Sequence, residues 1–140
     1  MEQSDREQDL LPVSSAPLDR LLAEALELAE ATKLYLETRV RPDPVGLEEL
    51  VHVREVGRIT ARLGFIVAWL LACKAEHAGE LEGFPGREEL CRLGGDPTCL
   101  EEAVVMGIPP ALRTLLHRSA ALYGRATRLA TSGMISPTLH

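Results

Sequence analysis

Aromatic residues are scarce in this chain of 140 residues, at 4%, and that scarcity bounds its architecture. Strands draw on aromatic and β-branched side chains. Leu, Ala, Glu and Arg abound instead, so the composition predicts an all-α fold packed by aliphatic side chains. Cysteine is sparse too. Cys73, Cys91 and Cys99 make an odd set without framework spacing, which excludes a disulfide scaffold and predicts a reduced, cytoplasmic protein. The longest apolar run, Leu63–Cys73, is bracketed by Arg62 and Lys74 and falls short of the roughly 20 residues a membrane span needs. A buried helix and no membrane span are expected. The segment Met1–Asp9 has no apolar core, so no secretory signal is expected. Acidic side chains are missing after residue 108, where Arg113, Arg118, Arg125 and Arg128 stand alone. The net charge of −6 therefore belongs to the body, and a basic last helix should lie against acidic faces of the others. One basic helix on an acidic protein argues against direct nucleic-acid binding. No Gly-rich phosphate loop, Ser nucleophile elbow or Lys-Asp-Glu set occurs, so no enzyme, catalytic residue or cofactor is predicted.

The length and the 46% hydrophobic content suit one domain with a real core. Residues 1–14 are polar and aperiodic and are expected to be a disordered tail; residues 132–140 are expected to be mobile; the domain spans 15–131. A first helix over about 17–40 starts at Ser14 or Ser15 with Pro17 early. It buries Leu18, Leu21, Ala25, Leu28, Thr32 and Tyr35, with Leu22, Ala29 and Leu36 widening the stripe. Arg41-Pro42-Asp43-Pro44 ends it. A long second helix, about 47–78, sets Leu50, Val53, Val56, Thr60, Leu63, Val67, Leu70 and Cys73 or Lys74 along one seam and stops at Gly79. Its excess apolar length calls for a second copy of the chain. The segment 80–106 is punctuated by Gly and Pro and acidic, so it is expected to be flexible, with short turns at 87–93 and 100–105. A third helix, about 110–130, buries Leu112, Leu115, Ser119, Leu122, Ala126 and Leu129. These elements predict an antiparallel three-helix bundle with a long central helix, through which two copies of the chain are expected to dimerise.

Arg54, Arg58 and Arg62 stand four apart and are expected on one helix face, either as a contact stripe for an acidic partner or in ion pairs with Glu24, Glu27, Glu30 or Glu55. Trp69 is expected in the core or a dimer contact. Tyr123 suits either a bundle edge or a partner surface, and Arg125 joins it as a protein-binding candidate. Cys73 and His77 with Cys91 and Cys99 have the residue types of a Cys3His zinc site, but Cys91-x7-Cys99 is too loose for paired structural ligands, so no metal is predicted. Glu49-x-x-His52 has di-iron spacing in a single copy and reads as a solvated surface pair.

Three motifs carry a family resemblance. Arg58-x-Thr60-x-Arg62-Leu63, followed by Trp69-Leu70-Leu71, Ala75 and Gly79-Glu80, resembles the central helix of the alphaproteobacterial regulator-of-CtrA-degradation family. The run from Glu24 to Tyr35-Leu36 is similar to its first helix, and Ile108-Pro109-Pro110 through Arg118-Ser119 and Leu122-Tyr123 to Leu129 is similar to its last. The likeness covers roughly 17–131 in collinear order, with departures at Lys33, Gly64 and Phe65. It implies a non-enzymatic homodimeric adaptor that helps the ClpX–ClpP protease reach a CtrA-like transcription factor. In such a system a response-regulator-like protein primes the protease and a cyclic-di-GMP-binding effector completes the chain. The alternative is a structural or signalling helical dimer unrelated to proteolysis.

Overall fold

The computed structural model describes residues 15–42, 46–95, 99 and 107–131. The expected tails, the Ser14 cap and the turn at 100–105 lie outside them. Four helices occur among the described residues: α1 (Ser15–Thr38), α2 (Leu47–His77), α3 (Arg87–Leu90) and α4 (Pro110–Leu129). No strand occurs among the described residues.

Local chemistry sets the ends. Pro109 precedes α4 and Pro110 opens it, where a missing N–H costs nothing because the first turn's donors have no intrahelical acceptor. At the end of α2, Gly79 adopts a φ of 77°. There Glu80 N donates to Ala75 O (2.9 Å) and Gly79 N to Glu76 O (3.1 Å), the paired bonds of a left-handed helix stop.

Each long helix packs against the other two. Along α1 the expected stripe is buried at Leu18, Leu21, Ala25, Leu28 and Thr32, with Tyr35 half-buried; Ala29 and Leu36 are exposed. Along α4 the buried set is Leu112, Leu115, Leu116, Ser119, Leu122, Tyr123 and Ala126. Ile59, Ile66, Trp69, Leu70 and Cys73 of α2 complete the core. Trp69 is 1% exposed, which places it in the core of a single chain.

Side-chain pairs fix the helix directions. Asp19 near the start of α1 pairs with Lys74 near the end of α2, and Arg39, just beyond α1, pairs with Glu49 in the first turn of α2. These two helices run antiparallel. Glu24 meets Arg125 and Glu27 meets Arg118, in reverse order along the chain, so α4 also opposes α1 and shares the direction of α2. The expected alternation therefore fails at the last helix. The long segment 78–109 makes this geometry feasible, because it carries the chain back along the molecule before α4 begins. The same two pairs set the basic last helix against acidic residues of α1, as the charge asymmetry predicts.

The second departure is the face that α2 buries. Its buried residues include Glu49, His52, Glu55, Ile59 and Arg62, whereas Leu50 and Val53, expected on the seam, are 63% and 57% exposed. Over its first four turns the helix has an apolar face, with Leu50 and Val53, and a polar one, with Glu49, His52 and Glu55, and periodicity alone turns the apolar one inward. Tertiary partners for the polar face decide the matter. By length and composition α2 could cross a membrane, but its inner face packs on α1 and α4 and carries those four ionisable residues.

The segment 80–95, expected to be flexible, is anchored. Arg87 Nε donates to Glu76 Oε2 at 2.7 Å, and the hydroxyl of Tyr123 donates to Gly94 O at 2.7 Å. The predicted turn at 87–93 is realised over Arg87–Leu90.

Candidate functional site

The arginine stripe does not stay on one face. Each step of four residues overshoots a 3.6-residue turn by about 40°, so Arg62 sits about 80° round the helix from Arg54. The side chain of Arg54 is accordingly 62% exposed and that of Arg58 18%, while Arg62 is 1% exposed. Arg62 Nε donates to Cys99 O (2.8 Å), and its Nη1 donates to Leu116 O (3.1 Å) and Ser119 Oγ (2.9 Å). It joins α2, α4 and the segment between them through neutral acceptors. Arg62 is thus no part of an accessible contact stripe, and these three acceptors are neutral oxygens rather than the carboxylates of Glu24, Glu27, Glu30 or Glu55.

Glu55 is the carboxylate that the other two meet. It is fully buried, with Arg58 Nη2 at 3.5 Å and Arg54 Nε at 3.8 Å. Neither of its oxygens has a hydrogen-bond partner among the described residues.

Around the junction of α1 and α2 lies a polar cluster that sequence reasoning missed. The Tyr35 hydroxyl is 2.8 Å from His52 Nε2, and the two rings stack with centroids 5.6 Å apart. Arg39 forks onto Glu49, with Nη1 at 3.1 Å from Oε2 and Nη2 at 2.5 Å from Oε1. Glu49 and His52 are 7% and 5% exposed, which corrects the reading of a solvated surface pair. The spacing of 49, 52 and 55 was the available signal: three polar residues on one face of an otherwise apolar helix need partners if that face turns inward. Burial holds the His52 imidazole below its usual range, assisted by Arg39. The Arg39 hydrogen bonds hold Glu49 low, and burial pushes the Tyr35 phenol up. The burial of His52 favours the neutral imidazole, and whichever tautomer it adopts, Nδ1 is buried without a hydrogen-bond partner among the described residues.

Tyr123, expected at an edge or a partner surface, is 5% exposed and spends its hydroxyl on Gly94. A Cβ at Gly95 would collide with that hydroxyl, and Gly95 has a φ of 122°, so glycine is required here. Arg125 remains at the surface, half-exposed, with Nη1 and Nη2 on Glu24 at 3.0 and 2.8 Å.

None of the three cysteines is paired in a disulfide. Burial pushes Cys73 up to about 12 and raises Cys91, so neither offers the thiolate that nucleophilic or metal chemistry uses. No three His, Cys, Asp or Glu side chains converge as a metal group among the described residues.

The outward face of α2 is the largest remaining feature. Leu50, Val53 and Leu71 are more than half exposed, and Leu47 is 76% exposed. Between them Gly57, Thr60, Ala61, Gly64 and Ala68 are exposed, and a Cβ at Gly57 or Gly64 would meet nothing within 4 Å. Positions 50, 53, 57, 60, 64 and 71 fall on a three-and-four spacing, the pattern of a helix with a partner.

The chain belongs to the family described as protein of unknown function (DUF1465), whose profile matches residues 11–136. No curated protein and no solved structure shows significant similarity to it.

Proposed function

We propose that this protein is a non-enzymatic cytoplasmic adaptor of regulated proteolysis, of the regulator-of-CtrA-degradation type. The observation that carries the reading is the outward apolar face of α2, on top of the motif resemblance along 17–131. Two copies of the three-helix bundle would pair through these faces. The 31 residues of α2 span about 46 Å, enough contact for an interface of ordinary size, about 1,600 Å² in total. Gly57 and Gly64 would let the two backbones approach closely at the crossing.

The dimer holds a CtrA-like transcription factor beside the ClpX–ClpP protease, already primed by a response-regulator-like protein, with a cyclic-di-GMP-binding effector completing the assembly. Tethering raises the local substrate concentration and leaves the cleavage chemistry to the protease. Of the protein-binding arginines singled out in the sequence, Arg54 and Arg125 keep solvent exposure beside their ion pairs, and Arg58 keeps only partial exposure.

Purified ClpX–ClpP with the priming protein, effector and cyclic dinucleotide should degrade the transcription factor faster when this protein is added, saturating with its concentration. Unchanged turnover with every component active, together with a dimer in sedimentation, would instead establish the structural or signalling dimer.

A further inference from the structure

The start of α1 and the end of α4 enclose an open cleft of about 580 Å³ with a floor of Pro17, Leu21 and Leu129. Arg20, Arg125 and Arg128 line it with a single carboxylate, Glu24. Arg125 is committed to Glu24 by its bidentate pair. Arg20 and Arg128 are exposed, and neither guanidinium has a hydrogen bond or ion pair among the described residues. Most of the other arginines are engaged: Arg39, Arg54, Arg58, Arg87, Arg92 and Arg118 are all ion-paired. Among the described residues of a protein of net charge −6, two guanidiniums at one apolar-floored cleft thus have no counter-charge.

We infer that this cleft docks an acidic peptide segment of a partner protein, placing carboxylates on Arg20 and Arg128 and an aliphatic side chain over Leu21 and Leu129. Guanidinium forks match carboxylates in bidentate geometry. The positive end of α1 borders the same cleft and adds to its attraction for anions. The floor is aliphatic and offers no ring on which a nucleobase could stack. Glu24 already shows the mode of binding, since it occupies Arg125 as the incoming carboxylates would occupy its two neighbours. The inference holds whether or not the partner is connected to proteolysis.

The test uses the full chain and a fluorescein-labelled octapeptide of alternating glutamate and leucine, followed by anisotropy. Saturable binding is expected, weakening by about tenfold between low and 0.5 M salt because the contacts are exposed ion pairs. The double variant R20E/R128E should lose binding while its circular dichroism is unchanged. Glu24→Gln removes the carboxylate that Arg125 pairs with, so it should tighten binding severalfold, a direction that damage to the fold cannot produce. The inference is overturned if the octapeptide does not bind at millimolar protein, or if R20E/R128E binds it as well as the parent. It is equally overturned if vesicles containing phosphatidylglycerol are bound through Arg20 and Arg128 while the peptide is not, for the cleft would then be a membrane contact.

Discussion

Replacing Arg62 by alanine probes the centre of the molecule. The side chain is 1% exposed and donates to Cys99 O, Leu116 O and Ser119 Oγ. Not all three acceptors lose equally. Ser119 Oγ still donates to Leu116 O at 3.0 Å, so that pair remains satisfied, whereas Cys99 O loses the partner that holds it. An abandoned buried acceptor costs about 1–3 kcal/mol, and the emptied volume of a long side chain adds about 2 kcal/mol. A loss of about 3–5 kcal/mol follows for Arg62→Ala. Arg62→Met keeps most of the volume and should lose about 1–3 kcal/mol, the orphaned carbonyl alone. Trp69 is the only tryptophan and is buried, so its emission reports urea unfolding directly. With a slope of about 1–3 kcal/mol per molar urea, the alanine variant's midpoint should fall by at least about 1 M. A shift below about 0.3 M for Arg62→Ala would refute the assignment of Arg62 as the latch between α2 and α4.

Tyr123→Phe removes the hydroxyl bond to Gly94 O and should cost about 1 kcal/mol, with faster tryptic cleavage after Arg92; unaltered cleavage would mean that this bond does not hold the segment. Stability should decline as pH drops below about 6.5, the ordinary histidine value, because the unfolded chain takes up a proton that neutral, buried His52 refuses. Glu49, held low by Arg39, adds a second decline only below its unfolded value near 4.5. His52→Phe should flatten the first phase and leave the second, and a profile identical to the parent's would exclude His52 as its source. Gly57→Ala, in an exposed helix interior, should stabilise the fold by about 0.5–1 kcal/mol in thermal unfolding. The double change Gly57→Leu with Gly64→Leu should leave helix content intact and abolish the proposed dimer in sedimentation, and a dimer that persists would remove these glycines from its interface.

The helices were legible because their signals are local: leucine spacing in α1, prolines before α4, Gly79 after α2. The inward face of α1 and of α4 followed from the same spacing, since each has one apolar stripe. At the start of α2 the apolar residues Leu50 and Val53 lie outward and the polar face turns inward, because its partners are Tyr35, Arg39 and the carbonyls of Cys99 and Leu116, all remote along the chain. Arg62 belonged to a recognisable motif, yet its role lies in a carbonyl 37 residues away. Helix direction was hidden for a related reason, because a long connection can return the chain to either end of the molecule.

The parallel course of α2 and α4 also has a kinetic side. Joining α1 to α2 closes a connection of eight residues, 39–46, whereas joining α2 to α4 closes one of 32, 78–109. Two doublings of loop length cost about 1.2 kcal/mol of extra chain entropy, so the α1–α2 hairpin should assemble first and α4 should dock onto it. Arg62 cannot find its acceptors until that docking is complete. Mutating it should therefore leave the refolding rate nearly untouched and accelerate unfolding, making this single arginine the lock that closes last and opens first.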